Sequence, residues 1–254
     1  MAGAEKVVSK GMDKKIYCYG EDGITLWAIS DVDGRGKLIE ALRIEDEGKI
    51  KRIYYRPSFG RNPGFGEFDI IVVTKPFVYL VEAKDLRGKS KESKIVLTSA
   101  QWARHLFMEM LILARFSKPE SIQDFVKKVE KTFNKKPLRR LNNPKSDNKN
   151  EVFYTNLESC LKDIGEMAGP DVRVTHVLLG YVNEGDTSGK GREVKLDEEK
   201  DAKKDYEFNR GNMLDAFPEE KFEYRQIEFN GKAQFEVSFG VEIPKQAEGV
   251  EAVK

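Results

Sequence analysis

The stretch Phe65–Arg87, FGEFDIIVVTKPFVYLVEAKDLR, constrains this chain more than any other. Its two apolar runs, Phe68–Val73 and Phe77–Val81, are separated by Thr74, Lys75 and Pro76. Val, Ile and aromatics dominate both runs, as expected of strands buried on both faces. Three charges, Asp69, Glu82 and Lys84, sit in this apolar material. Unpaired burial of any of them is costly, so they must meet each other, a metal or a solvated cleft.

The numbering gives their geometry. In an antiparallel hairpin symmetric about the Lys75–Pro76 bond, Asp69 lies directly opposite Glu82, and opposite residues share a face. Lys84 is two positions beyond Glu82 and joins them, while Ala83 points away. A slip of one residue would send Asp69 to the other face, so the inference depends on the turn. Two adjacent carboxylates repel unless a cation holds them, and oxygen-only ligands suit Mg²⁺ or Mn²⁺.

Asp69 followed by Glu82-Ala83-Lys84 resembles the signature of the PD-(D/E)xK nuclease superfamily. The fuller string GEFDIIVV…FVYLVEAKDLRG is similar to its nuclease-related and archaeal Holliday-junction-resolvase-like branches. The resemblance covers residues 34 to about 116, less than half of the chain. Phe68 stands where the family pattern has Pro, which removes no ligand. The resemblance implies an α/β, restriction-endonuclease-like fold, with a mixed central sheet flanked by helices and a C-terminal elaboration. It implies Asp69, Glu82 and the Ala83 carbonyl as ligands of Mg²⁺ or Mn²⁺, with Lys84 beside the attacking water. In that superfamily the helix before the first strand often supplies another carboxylate. Glu40 in GKLIE is the candidate, with Glu45 behind it; the competing reading is an ordinary exposed helix glutamate. Gln101 resembles the accessory residue that several branches place beside the lysine, against the reading of a simple polar first-turn residue.

Composition narrows the class. A 254-residue chain is long enough for one large or two small domains. At 39% hydrophobic and 34% charged it reads as a soluble globular protein, with a Lys/Glu bias seen in hyperthermophile proteins. The net charge of +1 means that any nucleic-acid site must come from local asymmetry. Two cysteines, Cys18 and Cys160, form neither metal spacing nor a disulfide framework, which points to a reduced, cytoplasmic setting. No apolar run has the length of a membrane helix, and the amino terminus lacks a secretory core.

In chain order, Lys15–Tyr19 and Ile24–Ser30 read as short strands of a hairpin, and Asp31–Gly36 as a turn. Lys37–Glu47 reads as a helix stopped by Gly48, and Lys49–Ser58 as a strand. Phe59–Gly66 is a Gly/Pro-rich loop whose Arg61 either touches phosphate or belongs to an ordinary connector. Asp85–Lys94 is a polar turn containing Arg87, and Ile95–Thr98 a short strand. Ser99 then caps a helix running to about Phe116. His105 on that helix and His176 further on read as structural or surface residues, with no metal-type partner near His176 in sequence.

From Lys118 to Lys149 ten Lys or Arg face four Asp or Glu. Lys127, Lys128, Lys131, Lys135, Lys136, Arg139 and Arg140 are the candidates for gripping a phosphate backbone, against the reading of a solvated face. Glu151–Ala168 reads as a helix, Asp171–Val182 as an interior strand and Asn183–Glu207 as a charged mobile loop. Phe208–Phe217 reads as a short helix. Lys221–Phe229 and Lys232–Ile243 read as a hairpin about Asn230-Gly231.

These readings divide the chain into an extension or small hairpin at 1–33, a nuclease-like core at 34–182 and a charged loop with a hairpin at 183–254. The core carries a basic helical insertion at about 117–170. The function expected is a metal-dependent endonuclease hydrolysing DNA phosphodiesters, in branched or structured DNA by resemblance. The alternative is a nuclease-like fold that binds DNA or a protein partner with its pocket idle; an RNA substrate is a third reading. Resolvase-like relatives pair two active sites, so a homodimer is expected, and no membrane contact.

Overall fold

The computed structural model describes residues 15–45, 49–57, 67–89, 94–117, 147–186, 192–196, 218–229 and 234–238. Its elements in chain order begin with β1 (Lys15–Tyr19), α1 (Gly20–Ser30), α2 (Val32–Leu42), β2 (Arg52–Tyr55), β3 (Ile70–Val73) and β4 (Phe77–Asp85). Next come β5 (Lys94–Leu97), α3 (Ser99–Ser117), α4 (Asp147–Ala168) and β6 (Arg173–Asn183). The last are β7 (Glu193–Leu196), a short 3₁₀ turn at Glu219–Lys221, β8 (Phe222–Phe229) and β9 (Gln234–Ser238).

The expected α/β architecture forms, with a mixed central sheet flanked by helices. Five strands stand in the order β2-β3-β4-β6-β8. The first two pairings are antiparallel, while β4–β6 and β6–β8 are parallel. Every residue of β3 is buried, as is most of β4, because helices cover both faces of the sheet. Ile71, Val73, Val78 and Leu80 pack with Phe107, Met108 and Leu111 of α3 and Leu157, Leu161 and Ile164 of α4. On the other face Ile70, Val72, Tyr79, Val81 and Ala83 meet Ile24, Trp27 and Ala28 of α1 and Leu38 and Leu42 of α2. The alternation along β3 and β4 thus assigns one helix pair to each face.

The β3–β4 register pairs Ile70 with Val81 and Val73 with Val78. Continued by one step, it sets Asp69 against Glu82, as the symmetric turn requires. The strand β4 runs four residues beyond its apolar stretch, to Asp85, because the parallel partner β6 pairs with it over that whole length.

Several expectations are corrected. The stretch Ile24–Ser30 is helical, within α1. Its β-branched residues are accommodated because Ile24, Trp27 and Ala28 fall on one buried face, and the Thr25 hydroxyl donates to the Glu21 carbonyl at 2.8 Å. Asp31 does not lead a turn but caps α2, accepting from the Asp33 and Gly34 N–H groups at 2.9 and 3.2 Å. That helix ends well before Gly48, at Arg43, which has left-handed dihedrals with φ 55°. The Asn183–Glu207 stretch is no structureless loop throughout, since β7 within it pairs in parallel with β5.

Among the described residues the expected hairpin of Lys221–Phe229 with Lys232–Ile243 is not paired. Its first half, β8, lies parallel to β6 in the main sheet, and β9 pairs antiparallel with β1. Non-local pairing overrides the local turn signal, because β6 offers β8 an eight-residue buried ladder. The helix expected at Phe208–Phe217 lies outside the described residues.

Gly34 makes the α1–α2 contact. A Cβ there would stand 2.5 Å from the Trp27 carbonyl oxygen and 3.0 Å from the Ala28 Cα, and backbone atoms cannot swing aside. Gly34→Ala is expected to destabilise the fold by about 1–3 kcal/mol. Urea unfolding would measure it, and an unchanged midpoint would contradict this packing.

Candidate active site

Four elements meet around the far end of β4. Asp69 stands one residue before β3, and Glu82 and Lys84 lie within β4. Glu82 is only 3% exposed, so its charge must be met locally. The first turns of α3 meet it. Gln101 donates its amide to Glu82 Oε1, and Arg104 Nη2 donates to Oε2 at 2.7 Å in a fully buried ion pair. Lys84 Nζ stands 3.5 Å from Oε1.

The helix that carries these donors starts where it does because of a reciprocal cap. The Thr98 N–H donates to Gln101 Oε1 at 3.0 Å, and the Gln101 N–H donates to Thr98 Oγ1 at 3.3 Å. Thr98, not Ser99, is therefore the capping residue. Gln101 spends its oxygen on the cap and one amide hydrogen on Glu82, so it is not an idle first-turn residue, and its second amide hydrogen is left for another acceptor.

The Ala83 N–H donates to Asp69 Oδ2 at 2.7 Å. Burial first, and the neighbouring Glu82 charge second, push the Asp69 carboxyl up to about 7, against the lowering by that N–H and by Lys84. Glu21, in the first turn of α1, completes the group. Its Oε2 accepts the Asp85 N–H at 2.9 Å, and its Oε1 stands 4.0 Å from Lys84 Nζ.

Glu21 takes the place that the sequence reading gave to Glu40. Glu40 is exposed on α2 and lines a cavity of about 660 Å³ with Lys37, Arg43 and Arg225, apart from the cluster. The helix-borne carboxylate that reaches the cluster comes from α1, where Ile24–Ser30 was read as a strand and Glu21 fell in the turn before it. Glu45 is exposed and pairs with Lys49. Arg104 was also missed. Its signal was a cation one turn beyond Gln101 on the helix face that continues through Met108 and Leu111, both buried.

Of the proposed phosphate contacts, Arg87 is described. It makes a two-pronged pair with Asp85, at 2.8 and 2.6 Å, and lies over the Phe229 ring at 5.5 Å. Arg61 and Lys127, Lys128, Lys131, Lys135, Lys136, Arg139 and Arg140 lie outside the described residues.

The two histidines, read as structural or surface residues, meet in the core, and His176, without a metal-type partner near it in sequence, has His105 and Glu109 beside it in space. Their Nδ1 atoms are 3.1 Å apart in the core, and His176 Nε2 is 3.4 Å from Glu109 Oε2. Burial holds both below the usual imidazole range. They stabilise the fold while neutral, above about pH 6.5, and that contribution is lost as pH falls further.

Among the described residues no three His, Cys, Asp or Glu side chains form a ready metal cage. The donors do fit a Mg²⁺-type ion, which is held through one or two carboxylates and keeps several waters. The observation behind that fit is the mutual repulsion of Asp69 and Glu82, which a cation would relieve. No family model, curated protein or solved structure matches the chain. No helix among the described residues is long and apolar enough to cross a membrane.

The raised Asp69 carboxyl has a defined sign in stability. Its proton binds more tightly in the folded chain, so its contribution is complete below an unfolded value of roughly 3.9 and is lost as pH rises through about 7. Urea unfolding without divalent ions, at pH 5 and pH 8, should show a larger fall for the wild type than for Asp69→Asn. Equal falls would remove the assignment; the histidine contribution is common to both chains and cancels.

Proposed function

We propose that the chain is a metal-dependent nuclease of PD-(D/E)xK type, on a restriction-endonuclease-like fold, hydrolysing phosphodiester bonds in DNA. The observation that carries the reading is the convergence of Asp69, Glu82 and Lys84 on one face, held by a buried shell of Gln101 and Arg104. Glu21 adds the helix-borne carboxylate that such a site takes. Apolar strands do not carry three charges at the same end without a use that offsets the desolvation.

In this reading Asp69 and Glu82 would hold Mg²⁺ or Mn²⁺, with the Ala83 carbonyl as a further ligand by family resemblance. Bound there, the ion would neutralise charge developing on the phosphate and make water a nucleophile near neutral pH. Lys84, three-quarters buried and flanked by Glu82 and Glu21, orients the attacking water or stabilises the charged phosphoryl oxygens. Asp69 would hold the ion only as the carboxylate, so binding would release its proton below about pH 7. Arg61 and the basic stretch around Lys127–Arg140 supply phosphate contacts, and branched DNA and a paired homodimer follow from the resolvase-like resemblance.

A second reading rests on one observation. Both oxygens of Glu82 already have donors, so the cluster is electrostatically complete as an ion network. A nuclease-like module that binds DNA or a protein without cutting would keep such a network for stability alone.

Nicking of branched, single-stranded and duplex DNA with Mg²⁺ or Mn²⁺ separates the two. Cleavage is expected, falling by about a hundredfold or more in Asp69→Ala and Lys84→Ala while both remain folded. DNA or protein binding without cleavage, unaffected by either substitution, would establish the second reading. Cleavage of RNA alone would shift the substrate and keep the site.

A further inference from the structure

A second polar cluster lies further along α3, on the same face of the sheet. We propose that Lys221, Glu109, His176 and His105 form an acid-sensitive latch, which holds the start of α3 on the sheet and lets go when the histidine pair is protonated. Release draws Gln101 and Arg104 away from Glu82, since His105 follows Arg104 on the same helix. The inference concerns the docking of α3 and stands whether or not the site cuts DNA.

Geometry assigns the protons. Lys221 Nζ stands 3.1 Å from both oxygens of Glu109, and Glu109 Oε2 stands 3.4 Å from His176 Nε2. Against burial, His176 and Lys221 hold the Glu109 carboxyl below its usual range, so it faces His176 as an anion. An anion there calls for the hydrogen on Nε2, which leaves His176 Nδ1 bare. The two Nδ1 atoms are 3.1 Å apart, so His105 carries its hydrogen on Nδ1 and donates it to His176. His105 Nε2 is then bare as well. Among the described residues it is buried without a hydrogen-bond partner, in a ring packed 5.0 Å from Phe68 and 4.8 Å from Phe222.

Charge makes this arrangement sensitive to acid. The charged groups acting on the pair are Arg104 and Glu109 from α3 and Lys221 from the 3₁₀ turn. Arg104 is matched by Glu82 and Lys221 by Glu109, so each proton added to the pair adds a net positive charge to the core. The first finds its open nitrogen at His105 Nε2, against two phenyl rings and next to Arg104. A second must sit on His176 Nδ1 and sets donor against donor, a contact the pair cannot keep. The rings are 0% and 2% exposed, so neither charge reaches water until α3 lifts from β6.

Two substitutions that break the same Glu109–Lys221 pair leave opposite charges beside His176. Lys221→Met leaves Glu109 to match an imidazolium, whereas Glu109→Gln leaves only the lysine. Between about pH 7.5 and about pH 5.5, the urea midpoint of Lys221→Met should fall less than that of Glu109→Gln. Equal falls overturn the latch. The Asp69 proton is common to both chains and cancels. Release itself is read by amide hydrogen exchange in the wild type, corrected for its intrinsic pH dependence. Over the same window, exchange at residues 101–109 should rise about tenfold or more relative to β3. A rise shared equally by β3 means a uniformly weakened fold and overturns the latch. NMR of the imidazole nitrogens at neutral pH should find hydrogen on Nδ1 of His105 and on Nε2 of His176; the reverse tautomers overturn it too. Should Glu109→Gln not fold, Lys221→Met is compared with the wild type, and equal falls overturn the latch.

Discussion

Glu82 is the constraint on which the rest of this structure depends. A carboxylate at 3% exposure, in a strand between two apolar layers, is tolerated only where donors surround it. The chain meets that demand by bringing the start of α3 over the end of β4, so that Gln101 and Arg104 each take one oxygen. The Thr98–Gln101 cap then fixes where α3 begins, and Trp102 and Leu106 anchor it against Phe222 and Leu178. Removing one partner of the pair would leave a bare buried charge, which costs about 3–5 kcal/mol. The pair is thus a structural commitment as well as a chemical one.

Asp69 sits under the opposite pressure. It has one backbone donor and a like charge nearby, and it is driven toward its neutral form near pH 7. Two carboxylates on one face are therefore unequal: Glu82 is paired, and Asp69 is poised between neutral and charged states. Such a division suits a site that changes its charge when a ligand arrives. Lys84 lies between Glu82 and Glu21 and is shared by both.

Much of this was legible in the sequence, for identifiable reasons. The symmetric turn about Lys75–Pro76 gave the facing of Asp69 and Glu82, because strand pairing is set by local residue count. The interior strand at residues 173–183 and the apolar stripe of Leu157, Leu161 and Ile164 followed from hydrophobic periodicity. Residues 24–30 were read as a strand, and 20–23 as the turn before it, because Ile, Thr, Leu and Trp suit strands and helices alike over so short a run. That error hid Glu21 and moved the third carboxylate to Glu40. The Asn230-Gly231 signal was misread as a hairpin because no local pattern announces that β6 awaits a parallel partner.

The sequence by itself determined which side chains could carry chemistry and which two strands present them, since periodicity and turn length act between near neighbours. Only the tertiary structure decided what surrounds them. Arg104, Gln101 and Glu21 come from helices 19 to 64 positions away from the residues they touch, as the separations of 19, 22 and 64 for Gln101–Glu82, Arg104–Glu82 and Glu21–Asp85 record. Such contacts depend on how helices dock on a sheet, and that docking is set by the burial of whole faces rather than by any local run of residues.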